Sequence, residues 1–559
     1  MNKSIEVMVG YSDLFGGTKK KDREDIIKMV NQLPLCSSFI LLSQFSANKI
    51  SEKTIKQFFK NYYEAFISHR ELPNGLSKQE IKDAMSSLDS KIKKGVLYSH
   101  QTILQLWKWL LVYGDSNKLL QLQEPISNLN RLTYLSLLTN DYLYEEGNSI
   151  LSELFSNGVF NNEEEIMHSI VRTKLIYMDI AQRKEIYNEK EYLDINKDFF
   201  DINGYTLNEH LAVIFGLMSL FMNSFEIGEE SWIKNINDAF KKTKMESKSK
   251  EIVSSLLIDY PTVKDWAEHE MNSYWNFLEF RRKPLFEIEN GHFFPFSLKL
   301  LQQQLFEGLF HKVRHCYTEA DKRFLSFYGR PFEKYVQILG AESIESSRLP
   351  YDLIPEFRYK KTKDSPDLLI KLNNKLLAIE VKSYRLSFPS TAKADTDSIK
   401  RDTNKMIIRP LKQLHDRIKE LKELNHNSMD GVDEIYCMVV TQGHFPTLRP
   451  FEEEIDRELK SYFNIPIKNY YHLDIEEFEM LCSLIEREKP IFRILETKSN
   501  DVFRYQSFKN FLFYSHQPVR TPKYLGKHYH KTINDIGSTF FENFTWEPSK
   551  KKKLKRNKK

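Results

Sequence analysis

The spacing of apolar residues divides the chain into a first part with helical periodicity and a later part with short apolar runs. Before about residue 285, apolar residues recur at the spacing of buried helices, as in the almost wholly apolar run Ile103–Val112. After about residue 320 they form short runs separated by longer helical patterns, which is typical of a sheet covered by helices. We therefore expect a largely helical N-terminal domain followed by a mixed-sheet α/β domain.

Individual elements of the later part can be placed from these runs. The expected strands are Leu368–Ile370, Leu376–Val381, Ile435–Val440 and Tyr470–Ile475. The expected helices are Phe332–Leu339, Ile407–Leu421 and Ile475–Ile485. Their order predicts one sheet whose strands alternate with helices.

Composition adds two C-terminal segments to this division. Residues 503 to 531 contain no acid and interleave basic with aromatic side chains, which suits a groove for single-stranded nucleic acid or a small packed subdomain. Lys550–Lys559 carries eight Lys or Arg and no acid, so we expect an arm that binds nucleic acid nonspecifically. The expected domains are a helical recognition or partner domain (1–285), the α/β domain (286–490), an aromatic and basic extension (491–548) and a basic tail (549–559).

Cysteines and apolar segments bear on the cellular compartment. The four cysteines lie far apart and lack the spacing of zinc ligands, and the start of the sequence lacks the layout of a signal peptide. The longest clean apolar run, Leu211–Met222, is about half of what a membrane span needs, so it predicts a buried helix. We expect a cytoplasmic protein with no membrane partner.

The candidate chemistry lies in one segment, Ser365–Lys382. Two apolar runs flank Asn373–Asn374, and asparagine tolerates the positive φ that tight hairpin turns demand, so the segment predicts a hairpin. With these two residues as the loop, Asp367 faces Glu380, and opposed side chains have Cβ atoms about 4.5–5.5 Å apart. Lys382 lies on the same face because it follows Glu380 by two residues.

Two opposed carboxylates repel each other unless a cation neutralises them, and a site of this kind suits Mg²⁺, for which Mn²⁺ can substitute. A bound cation polarises a phosphoryl oxygen and lowers the pKa of water, so the pattern predicts phosphodiester hydrolysis. Lys382 would orient or help deprotonate the water, or stabilise the developing charge. The alternative is an ordinary surface hairpin with a Glu–Lys pair, but two acids in opposed positions argue against it.

Pro366–Asp367, followed after twelve residues by Glu380–Lys382, resembles the PD-(D/E)xK superfamily of restriction-endonuclease-like nucleases, over about residues 320 to 490. In that superfamily a helix before the hairpin often supplies another acid, a place that Glu333 fits. With Pro331 as the first helical residue, Glu333 would equally suit the helix dipole. A later helix often contributes a glutamine, a place that Gln413 fits. The resemblance implies a restriction-endonuclease-like fold, a metal site of Asp367, Glu380 and Glu333, and a catalytic set completed by Lys382 and Gln413.

Local charge agrees with a phosphate-bearing partner, because residues 358 to 419 hold sixteen Lys or Arg against seven Asp or Glu. The expected nucleic-acid contacts are Lys360, Lys361, Lys363, Arg409 and Lys412. We expect a Mg²⁺-dependent nuclease that cuts DNA, as an endonuclease in restriction, anti-phage defence or a mobile element, with a protein partner at the helical N-terminal half. Two alternatives stay open: a catalytically inactive nuclease-like subunit that binds DNA or scaffolds a complex, and an RNA-directed nuclease.

Overall fold

The computed structural model describes residues 8–14, 22–47, 57, 79, 98–122, 125–143, 149–162, 164–188, 190–223, 230–318, 320–517 and 519–545, and the expected basic tail lies outside them. Within these ranges, helices alternate with a four-stranded, a five-stranded and a two-stranded sheet. This mixture of helix and sheet is the class that the apolar pattern predicts. None of the described helices is by itself long and apolar enough to cross a membrane, although two bent pairs of consecutive helices reach that length and composition.

Helices dominate the chain up to residue 282. They are α1 (Tyr11–Leu14), α2 (Arg23–Asn31), α3 (Leu35–Ser46), α4 (His100–Tyr113), α5 (Pro125–Asn140), α6 (Ile150–Phe160), α7 (Ile166–Thr173), α8 (Ile195–Asn203), α9 (Leu207–Met222), α10 (Glu246–Ser254), α11 (Tyr260–His269) and α12 (Leu278–Arg282). The two longest apolar runs of the sequence lie in α4 and α9. Most side chains of both helices are buried, which confirms the prediction of core helices.

A four-stranded sheet, which the apolar pattern does not predict, lies within and just after this helical part. Its strands are β1 (Lys234–Asn235), β2 (Leu257–Asp259), β3 (Leu285–Glu289) and β4 (His292–Pro295), in the order β1-β4-β3-β2. Strands of two to five residues are too short to show an alternating period. Strand β3 crosses the expected boundary between residues 285 and 286, and the domain division itself stays a prediction.

The five-stranded sheet contains all the strands expected from the sequence. Its strands are β5 (Asp352–Pro355), β8 (Leu368–Leu372), β9 (Lys375–Lys382), β10 (Glu434–Thr441) and β11 (Asn469–Asp474), in the order β11-β10-β9-β8-β5. The pairs β5–β8 and β8–β9 are antiparallel, whereas β9–β10 and β10–β11 are parallel. A two-stranded hairpin of β6 (Arg358–Lys360) and β7 (Lys363–Asp364) lies between β5 and β8 in the chain.

Helices cover both faces of this sheet. The helices after residue 282 are α13 (Leu298–Gln303), α14 (Glu307–Arg314), α15 (Arg323–Glu345), α16 (Phe388–Ala392), α17 (Thr396–Thr403), α18 (Arg409–Glu423), α19 (Arg449–Tyr462), α20 (Ile475–Ile485), α21 (Ile491–Lys498), α22 (Phe508–Tyr514) and α23 (Lys523–Phe540). One face packs on α15 in an apolar core that continues into the N-terminal helices. The other packs on α18 in a second, smaller core. Phe508, Phe511 and Leu525 are buried in the larger core, so the aromatic extension is packed against the rest of the protein.

Candidate active site

The hairpin of the candidate site forms in the predicted register. Strands β8 and β9 pair with Leu372 opposite Lys375 and Leu368 opposite Ile379. At the turn, Asn373 has a φ of 54°, the left-handed conformation that asparagine tolerates better than most residues. The two-residue loop therefore fixes which side chains of the hairpin share a face.

The strand registers, continued by one pair, bring three carboxylates next to one another at the end of the sheet. Strands β5 and β8 pair with Pro355 opposite Leu368, so the next position places Glu356 against Asp367. The hairpin register, continued by one pair, places Asp367 against Glu380. Glu356 and Asp367 lie just beyond the paired ends of β5 and β8, where Glu333 of α15 also reaches. Asp367 is fixed there by the backbone N–H of Val381, which donates to its carboxylate at 2.6 Å.

Glu333 reaches these carboxylates from α15. The prediction that Pro331 begins the helix is wrong, because Pro331 lies in the interior of a helix that starts at Arg323. A proline inside a helix removes a backbone hydrogen bond, and burial of Phe327, Pro331 and Phe332 in the core offsets that cost. Glu333 is therefore in mid-helix, where the dipole of the helix N-terminus gives no reason for an acid.

Glu333, Glu356 and Asp367 offer carboxylate oxygens that all lie within 4.8 Å of one another. The side chain of Gln337, one turn after Glu333, donates to the Glu333 carboxylate and to the backbone carbonyl of Asp367, both at 3.3 Å. Asp367 is only 6% exposed, and Glu356 stays accessible to solvent. We call these three residues the acid cluster.

Burial and mutual repulsion raise the pKa values of the acid cluster. The pKa of Glu333 rises to about 7, through burial first and then through the charge of Glu356. Burial, followed by the charges of Glu380 and Glu333, raises the pKa of Asp367 well above its ordinary value. Burial and the nearby Asp364 raise the pKa of Glu356. The cluster holds too little positive charge for its acids, the electrostatic condition that a divalent cation relieves.

Glu380, in contrast, already has two cationic partners. Lys382 donates to one of its carboxylate oxygens and Arg417 to the other, each at 2.6 Å, and Glu380 is only 1% exposed. Burial lowers the pKa of Lys382, but attraction to Glu380 and Asp367 outweighs burial and raises it. Lys382 is therefore a charged ammonium that lies beside the acid cluster.

Arg417 connects these acids to a basic pocket of roughly 470 Å³. Arg409, Gln413 and Arg417 follow one another at four-residue spacing, so they share one face of α18, and all three line the pocket. Lys363 and Lys412 line it as well, so its four basic residues outnumber its three acids, Asp364, Asp416 and Glu420. The structure thus places Gln413 in the pocket, one helical turn before the arginine that contacts Glu380.

The predicted nucleic-acid contacts differ in their partners. Three of the five lysines and arginines form ion pairs with glutamates: Lys360 and Lys363 with Glu420, and Lys412 with Glu458. Hydrogen bonds from Lys363 and Lys360 lower the pKa of Glu420 to about 2. Lys361 is exposed in the turn between β6 and β7, and Arg409 is exposed at the start of α18. A phosphate group would compete with Glu420 and Glu458 for the paired lysines.

Three residues of this arrangement were not found from the sequence. Glu356 follows β5, a strand of four residues that shows no clear alternation. Gln337 and Arg417 each lie one helical turn after a predicted residue, Glu333 and Gln413, so helical spacing is the signal that could have found them.

No protein-family model matches the chain, and no curated protein is detectably similar to it.

Proposed function

We propose that the protein is a metal-dependent nuclease of the PD-(D/E)xK type that hydrolyses phosphodiester bonds of DNA. The observation that carries this proposal is the acid cluster, in which three carboxylates from separate elements of the chain lie within 4.8 Å of one another. An ordinary surface hairpin has no reason to bring Glu333 and Glu356 to Asp367. A helical region joined to such a nuclease would suit restriction, anti-phage defence or a mobile element.

The donor set fits a hard divalent cation. Carboxylate oxygens are the ligands that Mg²⁺ and Mn²⁺ prefer, and Glu333, Glu356 and Asp367 would hold the ion. When bound, a cation at this position would polarise a phosphoryl oxygen and lower the pKa of the attacking water. The repulsion that raises the pKa of Asp367 would be relieved at the same time.

Lys382 and Arg417 act on the phosphate through their charge. Because the pKa of Lys382 is raised, its ammonium is a poor base at neutral pH and would instead stabilise negative charge on the attacked phosphate. Arg417 offers a planar guanidinium in the basic pocket, and that shape matches phosphate oxygens in a bidentate contact. Gln413 and Arg409 would position the strand from the same pocket.

One observation favours the second candidate function, an inactive nuclease-like subunit that binds nucleic acid. Lys382 and Arg417 already neutralise the Glu380 carboxylate, as two fixed cations would do in a purely structural site. The two functions differ in what the acids do. A nuclease requires the acid cluster for cleavage, whereas a binding module depends mainly on the basic residues.

Cleavage by the purified full-length protein tests the proposal, with supercoiled, linear and single-stranded DNA and with RNA, each in Mg²⁺, Mn²⁺ or chelator. Asp367→Asn and Glu356→Gln should each reduce metal-dependent cleavage by more than the roughly 10–100-fold typical of outer-shell residues. The matched control is Asp352→Asn, an exposed acid on the same strand that precedes Glu356, which should cut normally. Wild-type cleavage by Asp367→Asn would place the nuclease centre elsewhere. Binding without any metal-dependent cleavage by the wild type would favour the inactive subunit.

A further inference from the structure

Four polar side chains meet beyond the carboxyl ends of β9 and β10. Arg385 follows β9 by three residues, Gln442 follows β10 directly, and Tyr328 belongs to α15. Tyr177 comes from the π-helical segment Lys174–Asp179, which continues α7. The carboxyl ends of parallel strands are where α/β sheets commonly bind ligands, and π-helical turns occur frequently at functional sites. We call these four residues the tyrosine–arginine cluster.

Tyr328 lies beside each of the other three side chains. The ring centroids of Tyr177 and Tyr328 are 5.3 Å apart, and the Arg385 guanidinium lies 5.4 Å from the centre of the Tyr328 ring. Burial raises the pKa of Tyr328, while Arg385, Tyr177 and Gln442 all act to lower it, which shows their proximity. Gly443 permits this approach, because a Cβ there would lie 3.0 Å from the Arg385 Cα.

The polar atoms of the tyrosine–arginine cluster are buried without hydrogen-bond partners in the described part of the chain. They are the hydroxyls of Tyr177 and Tyr328, the Nε and NH2 of Arg385, and both amide atoms of Gln442. Tyr177, Tyr328 and Gln442 are 0%, 1% and 6% exposed. Tyr328 lies close enough to Tyr177, Gln442 and Arg385 for their hydrogen-bonding groups to shift its pKa, yet none of the six atoms has a partner of regular hydrogen-bond geometry. Because buried polar groups are nearly always paired, a ligand that bridges these atoms would satisfy them together.

Charge indicates the chemistry of that partner. The Arg385 guanidinium carbon lies 3.3 Å from the centre of the Phe310 ring, and its two buried nitrogens meet no described carboxylate. The charge of Arg385 also acts, after burial, to lower the pKa of His311 nearby. Arg385 is half-buried, and an anion beside its buried Nε and NH2 would compensate their charge, because burial of uncompensated charge is costly.

We propose that the tyrosine–arginine cluster binds a phosphate group. Arg385 would supply the charge and two N–H donors, Tyr177 and Tyr328 would donate their hydroxyl protons, and Gln442 would donate its amide. A phosphate monoester accepts several such hydrogen bonds at once, and guanidinium groups bind it strongly. The monoester belongs to a free nucleotide or to the 5′ end of a nucleic-acid strand. The proposal goes beyond the nuclease function and does not depend on it.

Binding at this site would connect the N-terminal helices to the sheet. Tyr177 follows α7, whereas Arg385 and Gln442 follow strands of the five-stranded sheet. A phosphate held by all of them would bridge two parts of the chain that are more than 200 residues apart in sequence. Occupancy of the tyrosine–arginine cluster would therefore report the presence of a nucleotide or strand end to the rest of the protein.

Thermal unfolding and direct binding of the full-length protein in chelator test this site, with inorganic phosphate, a nucleoside 5′-monophosphate, and oligonucleotides with or without a 5′-phosphate. The wild type should be stabilised by a phosphate monoester. Arg385→Met should abolish that shift, and Tyr328→Phe should weaken binding about tenfold. The matched control is Arg449→Met, which removes an exposed arginine 5.3 Å from the Tyr505 ring and should leave the shift unchanged.

Comparison of the ligands in this experiment identifies the source of the phosphate. A shift with inorganic phosphate shows that the site recognises the phosphate group itself, a larger shift with the nucleoside monophosphate assigns a free nucleotide, and a shift only with the 5′-phosphorylated strand assigns a strand end. Without ligand, Tyr328→Phe should unfold no earlier than the wild type, because the lost hydroxyl has no partner. Two results would overturn the proposal: no shift with any phosphate, or destabilised variants whose response to phosphate is unchanged. The second result would show that internal waters pair these groups as part of the fold.

Discussion

The acid cluster and the buried pair Arg172–Glu479 have opposite electrostatics. In the acid cluster, carboxylates gather with little positive charge, and burial raises the pKa of Glu333 to about 7. Beside Arg172, Glu479 is fully compensated, whereas burial raises the pKa of its neighbour Glu476, 3.5 Å from the same guanidinium, to about 7. Burial alone would raise the pKa of Glu479, but the charge of Arg172 and hydrogen bonds from His168 and Arg172 hold it at about 2. Both groups contain glutamates with little solvent access, so burial does not separate them.

The Arg172 group shows how the chain stabilises an acid that it keeps permanently. Arg172 donates to the Glu479 carboxylate from Nε at 2.7 Å and from NH2 at 2.9 Å, and the Tyr335 hydroxyl adds a third hydrogen bond at 2.7 Å. Arg172 and Glu479 are both completely buried. The pair joins α7 of the N-terminal helices to α20 beside the sheet. It therefore contributes to the contact between these two parts of the protein.

The difference lies in what completes each group. The Arg172 group carries its own cation in a fixed bidentate geometry, as structural buried ion pairs do. In the acid cluster, three carboxylates lie within 4.8 Å of one another, and the Gln337 amide donates to the Glu333 carboxylate and to the backbone carbonyl of Asp367 without bringing a positive charge. Strongly shifted pKa values that the fold leaves uncompensated are typical of functional sites. This contrast predicts that mutations in the two groups change the free energy of unfolding in opposite directions.

The largest loss of stability is expected when the buried ion pair between Arg172 and Glu479 is broken. Arg172→Met should lower the free energy of unfolding by about 3–5 kcal/mol, because Glu479 is left buried without its cation. Urea denaturation measures the loss, and the double variant Arg172→Met/Glu479→Leu should recover part of it. The matched control is Arg183→Met, which breaks a partly exposed pair with Asp179 and should cost about 1 kcal/mol or less. A loss of that small size in Arg172→Met would show that the buried pair does not stabilise the fold.

The same pair should make this loss depend on pH. The pKa of Glu479 is depressed in the folded protein, so its contribution to stability is present above its unfolded pKa of 4.5 and is lost as pH falls toward 2. In Arg172→Met, burial raises the pKa of Glu479 above its unfolded value, so the difference in unfolding free energy from the wild type should shrink as pH falls from neutral, and shrink further below about pH 4.5 as the wild type loses its own contribution. Denaturation at a series of pH values measures it. A difference that grows toward low pH would contradict the assignment of a charged Glu479.

In the acid cluster, removal of a charged side chain should stabilise the protein rather than destabilise it. Without metal, Asp367→Asn should raise the free energy of unfolding by about 1–2 kcal/mol, because repulsion is removed while the hydrogen bond from Val381 can persist. With Mg²⁺ at a hundred times its Kd, the wild type should gain about 2.7 kcal/mol and the variant much less. Thermal or urea unfolding in chelator and in Mg²⁺ measures both effects. Destabilisation of the metal-free variant would make Asp367 a structural residue.

The part of the site that local pattern encodes could be predicted from the sequence. The alternation around Asn373 determines the hairpin, and the register from Leu368–Ile379 to Leu372–Lys375 follows from the two-residue turn, as predicted. That Asp367, Glu380 and Lys382 form one catalytic centre stays a prediction. The strands of the five-stranded sheet other than β5 were found for the same reason, because their apolar runs are continuous. The strands of the four-stranded sheet, which are only two to five residues long, were not predicted.

Contacts between distant segments could not be predicted in this way. Glu356 joins Asp367 through the pairing of β5 with β8, and no periodicity specifies which strands pair. Glu479 lies 307 residues from Arg172, and nothing in either helix identifies the other as its partner. Pro331 was misplaced because a proline normally marks a helix start, and only burial in the core explains how it is tolerated inside α15.

The smallest effect is expected at Glu380, which resembles the acid cluster in position and Glu479 in having cationic partners. The quantity expected to change is the metal affinity. This carboxylate lies beside the acid cluster, yet Arg417 and Lys382 occupy its two oxygens. If a nucleic-acid phosphate takes Arg417, Glu380 becomes free to join the cluster as a ligand. Arg417→Gln should therefore raise metal affinity without nucleic acid by about threefold to tenfold, a coupling of roughly 1 kcal/mol.

Calorimetric titration with Mn²⁺ measures that change, and a double-mutant cycle decides its cause. The gain should vanish in Arg417→Gln/Glu380→Gln, because it depends on the freed carboxylate rather than on the removal of one positive charge. The control Arg409→Gln removes a charge from the same pocket without touching Glu380, and its metal affinity should change less.

In the wild type, nucleic acid in the presence of non-catalytic Ca²⁺ should tighten cation binding, and this linkage should be absent from Arg417→Gln. An equal gain in metal affinity with and without Glu380 would show that Arg417 acts only through the general field of the pocket. Glu380 would then belong with the permanently compensated acids, as Glu479 does.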